Sequence, residues 1–266
     1  MNHRTEDDSR AARWERHGSV AVITLNRPEA LNAVNQELST AVGELLDRAE
    51  QDAEIRVIVL TGAGRAFCAG ADLKALASGH SIYADGHPEW GFAGYTQRWV
   101  NKPTIAAVNG FALGGGTELV LASDLAVVDE DAKLGLPEVK RGLIAAAGGV
   151  IRLQQQIPKK LALEVALTGE PITAAKGKEW GLVNRVSPRG QSVEVALELA
   201  RSIADNAPIS VQESKSMLHR AATLPDWEEK AWHLNSTAKK AVFSSADAKE
   251  GPRAFAEKRP PVWRGR

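Results

Sequence analysis

Two acids and two glycine-bearing turns are the residues best equipped to do chemistry. Glu118 lies in "ALGGGTELVLASD" (Ala112–Asp124), directly behind Gly114, Gly115 and Gly116, and no other residue from Pro103 to Ser123 is charged. Glu138 follows Pro137 in "KLGLPEVKRGLIAAAGGVIRL", twenty residues further on. Alone, Glu138 reads as a helix-start glutamate after proline. If both carboxylates face one small volume, like-charge repulsion pushes one pKa upward and leaves one acid and one base at neutral pH. Such a pair can move a water molecule and a proton across a polarised double bond without a metal ion.

The turns supply the complementary function. "FCAGADLK" (Phe67–Lys74) comes after the Val57–Leu60 run, and "GGGTE" comes after Thr104–Val108. Small residues let backbone N–H groups approach a ligand unobstructed. At a helix start those groups are unpaired and carry the positive end of the helix dipole. Two such turns side by side would form a two-donor pocket for a developing oxyanion, where each donor is worth about 3–4 kcal/mol of transition-state stabilisation. A tight turn alone explains either loop; both loops, with an isolated acid behind one, mark a site. The run "AAAGG" (Ala145–Gly149) again leaves backbone bare before a helix.

Other chemistries lack their residues. No CxxC, HxxxH or G-x-x-x-x-G-K-[ST] occurs, and the glycine triplet lacks the dinucleotide spacing. The six histidines are scattered, and the single cysteine, Cys68, reads as a packed small thiol. Thirty-three Lys and Arg balance thirty-three Asp and Glu, which removes the global charge argument for nucleic acid or an anionic membrane. No segment has the length of apolar sequence that a membrane span needs. The acidic opening stretch disfavours a targeting peptide, so a cytoplasmic protein is expected.

The elements that position these residues alternate. Ser19–Leu25, Arg56–Gly62, Thr104–Gly110 and Asp124–Glu130 read as strands, separated by helical patterns such as the one carrying Leu38, Val42, Leu45 and Leu46. That alternation argues for an α/β architecture with parallel pairing. Strand signals stop after about Ser187, and the rest reads as helices. The polar opening, up to about Arg16, is expected to be frayed. Trp227, Trp232 and Trp263 lie in the helical part and imply docking, onto the chain's own core or another subunit.

Five stretches in order carry a family resemblance: "NRPEALNAVN", "FCAGADLK", "KPTIAAVNGFALGGGTELVLASD", "LPEVKRGLIAAAGG" and "ALTGEPITAAKGKEWGLVNRV". Together they resemble the enoyl-CoA hydratase/isomerase (crotonase) family over nearly the whole chain. With the polar N-terminus at 1–16 expected to be flexible, the resemblance implies a spiral of ββα units at 17–200 and a helical trimerisation region at 201–266. It implies an acyl-CoA thioester substrate, coenzyme A being part of the substrate and no separate cofactor or metal being needed. It also implies a homotrimer or a dimer of trimers.

On that resemblance the thioester carbonyl sits between the backbone N–H groups of Ala71 and Gly115. Ala30, Ala69, Asp72, Leu73, Lys74, Gly114 and Ala146 map onto positions that bind CoA or substrate. Phe255 and Lys258 of "FAEKR" match C-terminal residues that contact CoA, often from a neighbouring subunit. Members with both glutamates resemble hydratases: Glu118 deprotonates a water, Glu138 delivers a proton to Cα, and addition is syn. The expected reaction is therefore hydration of a trans-2-enoyl-CoA to a 3-hydroxyacyl-CoA. Carnitinyl-CoA dehydratase, enoyl-CoA isomerase and a non-catalytic binding protein on the same scaffold are the alternatives.

There are departures from the family pattern. Ala145 and Ala146 stand where hydratases often carry proline and glycine, and Glu29 stands where many members have a lysine near the CoA phosphates. The stretches "GFAGYTQRWVNKP" and "ADAKEGPRAFAEKRPPVWRGR" look like the carnitinyl-CoA dehydratase branch. The insert holding Tyr83, Trp90, Phe92, Tyr95 and Trp99 has aromatics that could line an acyl pocket, cage a cation, or simply pack.

Overall fold

The computed structural model describes residues 10–266. Its larger sheet has six strands in the order β1 (Ala12–His17), β2 (Val20–Leu25), β3 (Val57–Gly62), β7 (Thr104–Val108), β9 (Leu125–Asp129) and β12 (Arg185–Ser187). The β1–β2 pair is antiparallel and the rest are parallel. A second sheet has four short strands in the order β11 (Ile172–Thr173), β10 (Lys133–Gly135), β8 (Phe111–Leu113) and β4 (Ala66–Cys68). The remaining pair, β5 (Tyr83–Ala84) and β6 (His87–Phe92), forms an antiparallel hairpin.

The β-branched runs of the large sheet are apolar at consecutive positions because both faces are buried. One side-chain set (Ala21, Ile23, Leu25, Ile58, Leu60, Ala106, Val108) packs inward with α1 (Gln36–Gln51) and the short strands. The alternate set (Val20, Val22, Val57, Val59, Ile105, Ala107) packs outward against Ala196, Leu197, Ala200 and Ala204 of α7 (Ser192–Ala204). Helix α1 starts where the Asn35 side chain accepts from the Leu38 amide, and it buries Leu38, Val42, Leu46 and Ala49 on one face. A smaller cluster joins α3 (Gly115–Ala122), α4 (Gly149–Gln156) and α5 (Lys159–Thr168) through Leu121, Leu153, Ala162 and Val165.

Three findings differ from the sequence expectations. The segment expected to be flexible at 1–16 contains the start of β1, registered from Ala12 opposite Leu25 to His17 opposite Val20. Buried Trp14 between charged Arg13 and Glu15 is an edge-strand alternation; residues 1–9 lie outside the described residues. Next, the glycine turns do not leave the long strands. They leave β4 and β8, whose three residues each are too short for a periodic signal. Finally, α7 runs across the expected boundary at 200 and belongs to the packing of the large sheet.

Two short helices, α2 (Leu73–Ala77) and α6 (Ala174–Glu179), fill connections. The helical end comprises α8 (Pro208–Ala221), α9 (Glu229–Phe243) and α10 (Ala246–Ala256). Trp263 docks on its own chain, its indole N–H donating to the Asp205 carbonyl at 2.7 Å. Trp227 and Trp232 are exposed. Among the described residues no helix is long and apolar enough to cross a membrane.

Candidate active site

Strands β4, β8 and β10 are parallel neighbours, and each delivers one part of the site from the same sheet end. Cys68 of β4 pairs with Ala112 of β8, and Gly135 of β10 pairs with Leu113. Thr117 locks β8 to β10: its hydroxyl contacts the Ala112 and Gly135 carbonyls at 2.6 and 2.9 Å and accepts from the Gly135 amide at 2.8 Å. The turn after β4 carries Ala71, the turn after β8 carries Gly115, and a single 3-10 turn after β10 (Pro137–Arg141) carries Glu138. A Cβ on Gly70 would lie 3.3 Å from the Gly115 nitrogen, which shows how closely the first two turns abut.

Neighbouring amides in these turns are already used. The Ala69 amide donates to Leu31, Asp72 to Val34 and Gly114 to Gly135, at 2.8–3.0 Å. The Ala71 and Gly115 amides donate to no other protein group among the described residues. Gly114 adopts φ +56° and ψ −122°, a backbone that L residues avoid, so glycine is required there. At Gly115 a Cβ would overlap the ring of Phe92.

Glu118 sits one helical turn behind Gly114, only 3 % exposed. Its Oε1 accepts from the Gly149 amide at 2.8 Å, so the bare "AAAGG" backbone becomes the anchor of this carboxylate. Burial pushes its pKa up to about 7; the Gly149 and Ala147 amides and Arg152 oppose that rise, while the Glu138 charge adds to it. Glu138 is half-buried, and burial also raises its pKa, opposed by its own backbone amide and by Arg141. Its Oε2 is buried without a hydrogen-bond partner, and its Oε1 lies 2.9 Å from where a Gly114 Cβ would be. An unpartnered buried acceptor is costly, and such groups collect where a ligand supplies the missing donor.

Both acids open onto one cavity of about 220 Å³. Of the residues expected at the site, Ala69, Ala71, Leu73, Gly114, Gly115, Glu118, Glu138 and Ala146 line it. Ala30, Asp72, Lys74, Phe255 and Lys258 do not. Asp72 is occupied elsewhere: it caps α2 by accepting from Lys74 and Ala75 and pairs with Arg27 at 3.0 Å. Burial would raise its pKa, but those hydrogen bonds and the Arg27 charge hold it below the usual value. Ala30 sits in the 3-10 turn Pro28–Ala30, and Phe255 is 87 % exposed near the end of α10.

The aromatic insert divides. Tyr83 and Phe92 line the cavity. Trp90 instead stacks on His87 at 4.0 Å with the Arg98 guanidinium 4.6 Å from its ring. The Tyr95 hydroxyl bonds Thr104 and the Ala122 carbonyl at 3.0 and 3.1 Å, and Trp99 lies beside Lys215 and His219. Two rings are thus available to an acyl group, and packing accounts for three. Gln97, Arg141, Leu143 and Ile144 also line the cavity and were not anticipated. Only tertiary convergence brings them there, although Leu143 and Ile144 flank the "AAAGG" run that did attract notice. Cys68 is fully buried, and burial raises its thiol pKa to about 12, consistent with a packed, unreactive side chain. Among the described residues no group of three or more His, Cys, Asp or Glu is placed to hold a metal ion.

Comparison with known proteins gives the same family throughout. The enoyl-CoA hydratase/isomerase family model matches residues 15–266. Carnitinyl-CoA dehydratase of Salmonella typhi is 43 % identical over 256 residues, covering 94 % of this chain and 97 % of its own. The crystal structure of carnitinyl-CoA hydratase from Mycobacterium avium is 55 % identical with a TM-score of 0.78, covering 97 % of this chain and 99 % of its own. Enoyl-CoA hydratase from Mycobacterium tuberculosis H37Rv is 42 % identical with a TM-score of 0.89, covering 96 % of this chain and 99 % of its own. With a family model matched over nearly its full length, the chain belongs to the enoyl-CoA hydratase/isomerase (crotonase) family.

Proposed function

We propose that this protein is a hydro-lyase that reversibly adds water across the Cα=Cβ bond of a 2-enoyl-CoA thioester. One observation carries the reading: Glu118 and Glu138, both raised in pKa by burial, share a cavity with the undonated amides of Ala71 and Gly115. A thioester oxygen between those amides is polarised, and negative charge developing on it during attack is held by two N–H groups. Water between the acids loses a proton to Glu118 as its oxygen bonds Cβ. The resulting enolate collapses as Glu138 delivers a proton to Cα. Water is consumed, one proton returns through the carboxylate pair, and no electron acceptor is needed. The names of the relatives, which describe hydratases and dehydratases, support this class.

Carnitinyl-CoA dehydration is the second reading, and the relatives favour it. The curated relatives of this chain include carnitinyl-CoA dehydratases, and a carnitinyl-CoA hydratase structure is 55 % identical to it. The same two carboxylates serve this direction: Glu138 removes the Cα proton, and Glu118 protonates the departing hydroxide. The pair titrates as a unit.

Side-by-side turnover of crotonyl-CoA, crotonobetainyl-CoA and a 3-enoyl-CoA tests both readings. Hydration of either 2-enoyl thioester supports the proposal, and a preference for the betaine selects the second reading. Conversion of the 3-enoyl-CoA alone would replace both with an isomerase. The C-terminal contacts expected of Phe255 and Lys258 belong, on this reading, to CoA bound at a neighbouring subunit. Neither residue lines the cavity of its own chain, and Phe255 is exposed, which supports that assignment.

A further inference from the structure

Arg152 spans the gap between the Glu118 anchor and the aromatic hairpin. It lies on α4 and is half-buried. Its Nη1 donates to the Ala147 carbonyl at 3.2 Å and its Nη2 to the Thr96 carbonyl at 2.5 Å. On the first side, its own amide is bonded to Gly148 at 2.8 Å, and the next residue, Gly149, donates to Glu118. Gly148 has φ +107°, and a Cβ there would overlap Nη1, so the turn is shaped around this guanidinium.

On the second side, Thr96 closes the turn that sets Phe92. Its hydroxyl accepts from the Phe92 amide at 3.1 Å, and its amide donates back to the Phe92 carbonyl at 3.1 Å. Phe92 then lies against Gly115, and Gln97, the residue after Thr96, reaches the cavity. Moving the guanidinium therefore moves both the acid and the wall that the acyl group meets. A planar fork suits this bridging because its donors point in fixed directions.

We propose that Arg152 is a positioning residue that couples the acyl-pocket hairpin to Glu118, by holding the Ala147–Gly149 turn and the Thr96 turn at a fixed separation. The inference rests on the hydro-lyase reading for its kinetic consequence, though the coupling itself does not. An acyl group that displaces Phe92 or Gln97 is felt at Glu118 through this bridge, so substrate fit is read in the chemical step as well as in binding. The charged groups facing Glu118 are Glu138, from the 3-10 turn, and Arg152, from α4. Arg152 is thus also the cation that favours ionised Glu118.

Arg152→Met and Arg152→Lys test the proposal in the full-length protein, with two readouts. The first is kinetics on the thioester the wild type turns over. Met is expected to lower kcat by about ten- to a hundredfold, the range for a small misplacement of a reacting group, with a smaller change in KM. Lys keeps the charge but lacks the fork, and is expected to recover only part of kcat. The second readout needs no turnover. It is the pH midpoint at which the Tm of each variant parts from that of the same variant carrying Glu118→Gln. Met is expected to move that midpoint upward, and Lys to restore it. Should Met not fold, Arg152→Gln, neutral but still a donor, reads the same midpoint.

A lower Tm with unchanged kcat and midpoint would make Arg152 merely structural and overturn the inference. Wild-type protein that turns over no enoyl or hydroxyacyl thioester would sink the hydro-lyase reading. The midpoint would then decide the coupling alone, an unmoved midpoint rejecting it.

Discussion

Glu118 occupies an eight-residue helix, almost out of solvent, with one oxygen fixed by a backbone amide. Glu138 occupies a five-residue 3-10 turn, half-buried, with one oxygen bonded to nothing in the protein. Both meet one cavity, yet one seat is rigid and the other has spare hydrogen-bonding capacity. Two acids in identical surroundings would split their titrations only through mutual repulsion. Here unequal burial adds to the split while the Gly149 amide on Glu118 works against it, so the two acids titrate in different surroundings. The lesson is that placement of the carboxylates, more than their identity, sets their roles.

The comparison can be broken most severely by removing either acid. Glu118→Gln and Glu138→Gln are each expected to lower kcat for the thioester by about 10² or more, the scale of a general acid–base contribution. Steady-state kinetics checks this. Shortening sharpens it: Glu118→Asp draws the oxygen off the Gly149 amide and should cost more than Glu138→Asp, whose oxygen has no fixed partner to lose.

A smaller effect is expected at the glycine between the two acids. Gly114→Ala forces a side chain onto a left-handed backbone and against Glu138 Oε1. Strain of roughly 1–3 kcal/mol is expected to lower stability, and displacement of the Glu138 carboxylate is expected to lower kcat by about tenfold or more. Gly149→Ala, whose Cβ would lie 3.0 Å from Glu118 Oε1, should disturb the other acid, so the two substitutions separate the two seats by their pH–rate profiles.

Stability carries the next signature. Glu118 has a folded pKa of about 7, above its ordinary 4.5, so the native state holds this proton more tightly than the unfolded chain. Its stabilising effect is complete below about pH 4.5 and is lost as pH rises through 7. Glutamine at this position cannot ionise. Glu118→Gln should therefore be more stable than wild type at pH 8, by up to roughly 3 kcal/mol, with the gap shrinking toward pH 4.5. Thermal melts across that range check the sign. Glu138→Gln should show the same trend more weakly, since Glu138 is less buried. The smallest effect on the pair is expected from Leu197→Ala on the far face of the large sheet: about 2–4 kcal/mol of stability lost, with the pH–rate profile unmoved.

Legibility in the sequence followed length and locality. The long strands announce themselves as β-branched runs, because burial on both faces demands apolar residues at consecutive positions. Strands β4, β8 and β10 do not, since three residues carry no period. The site's glycines were legible because a left-handed backbone and close approach to Phe92 leave few other choices. The pairing of Glu118 with Glu138 was legible only as a conditional, resolved by the side-by-side exits of β8 and β10. Arg141, Gln97 and Arg152 were silent. An arginine on an amphipathic helix looks solvated until the carbonyls it bridges, one of them at Thr96 fifty-six residues before it, are seen together. Asp72 carries a second role that its motif position did not announce: its carboxylate caps a helix.

Turnover of a 2-enoyl-CoA in D₂O tests the central claim most directly. The account predicts a 3-hydroxyacyl-CoA carrying a single deuterium at Cα, formed by wild type and lost in both Glu118→Gln and Glu138→Gln. Unchanged product formation in either variant would contradict it, as would wild-type protein that leaves every enoyl thioester intact.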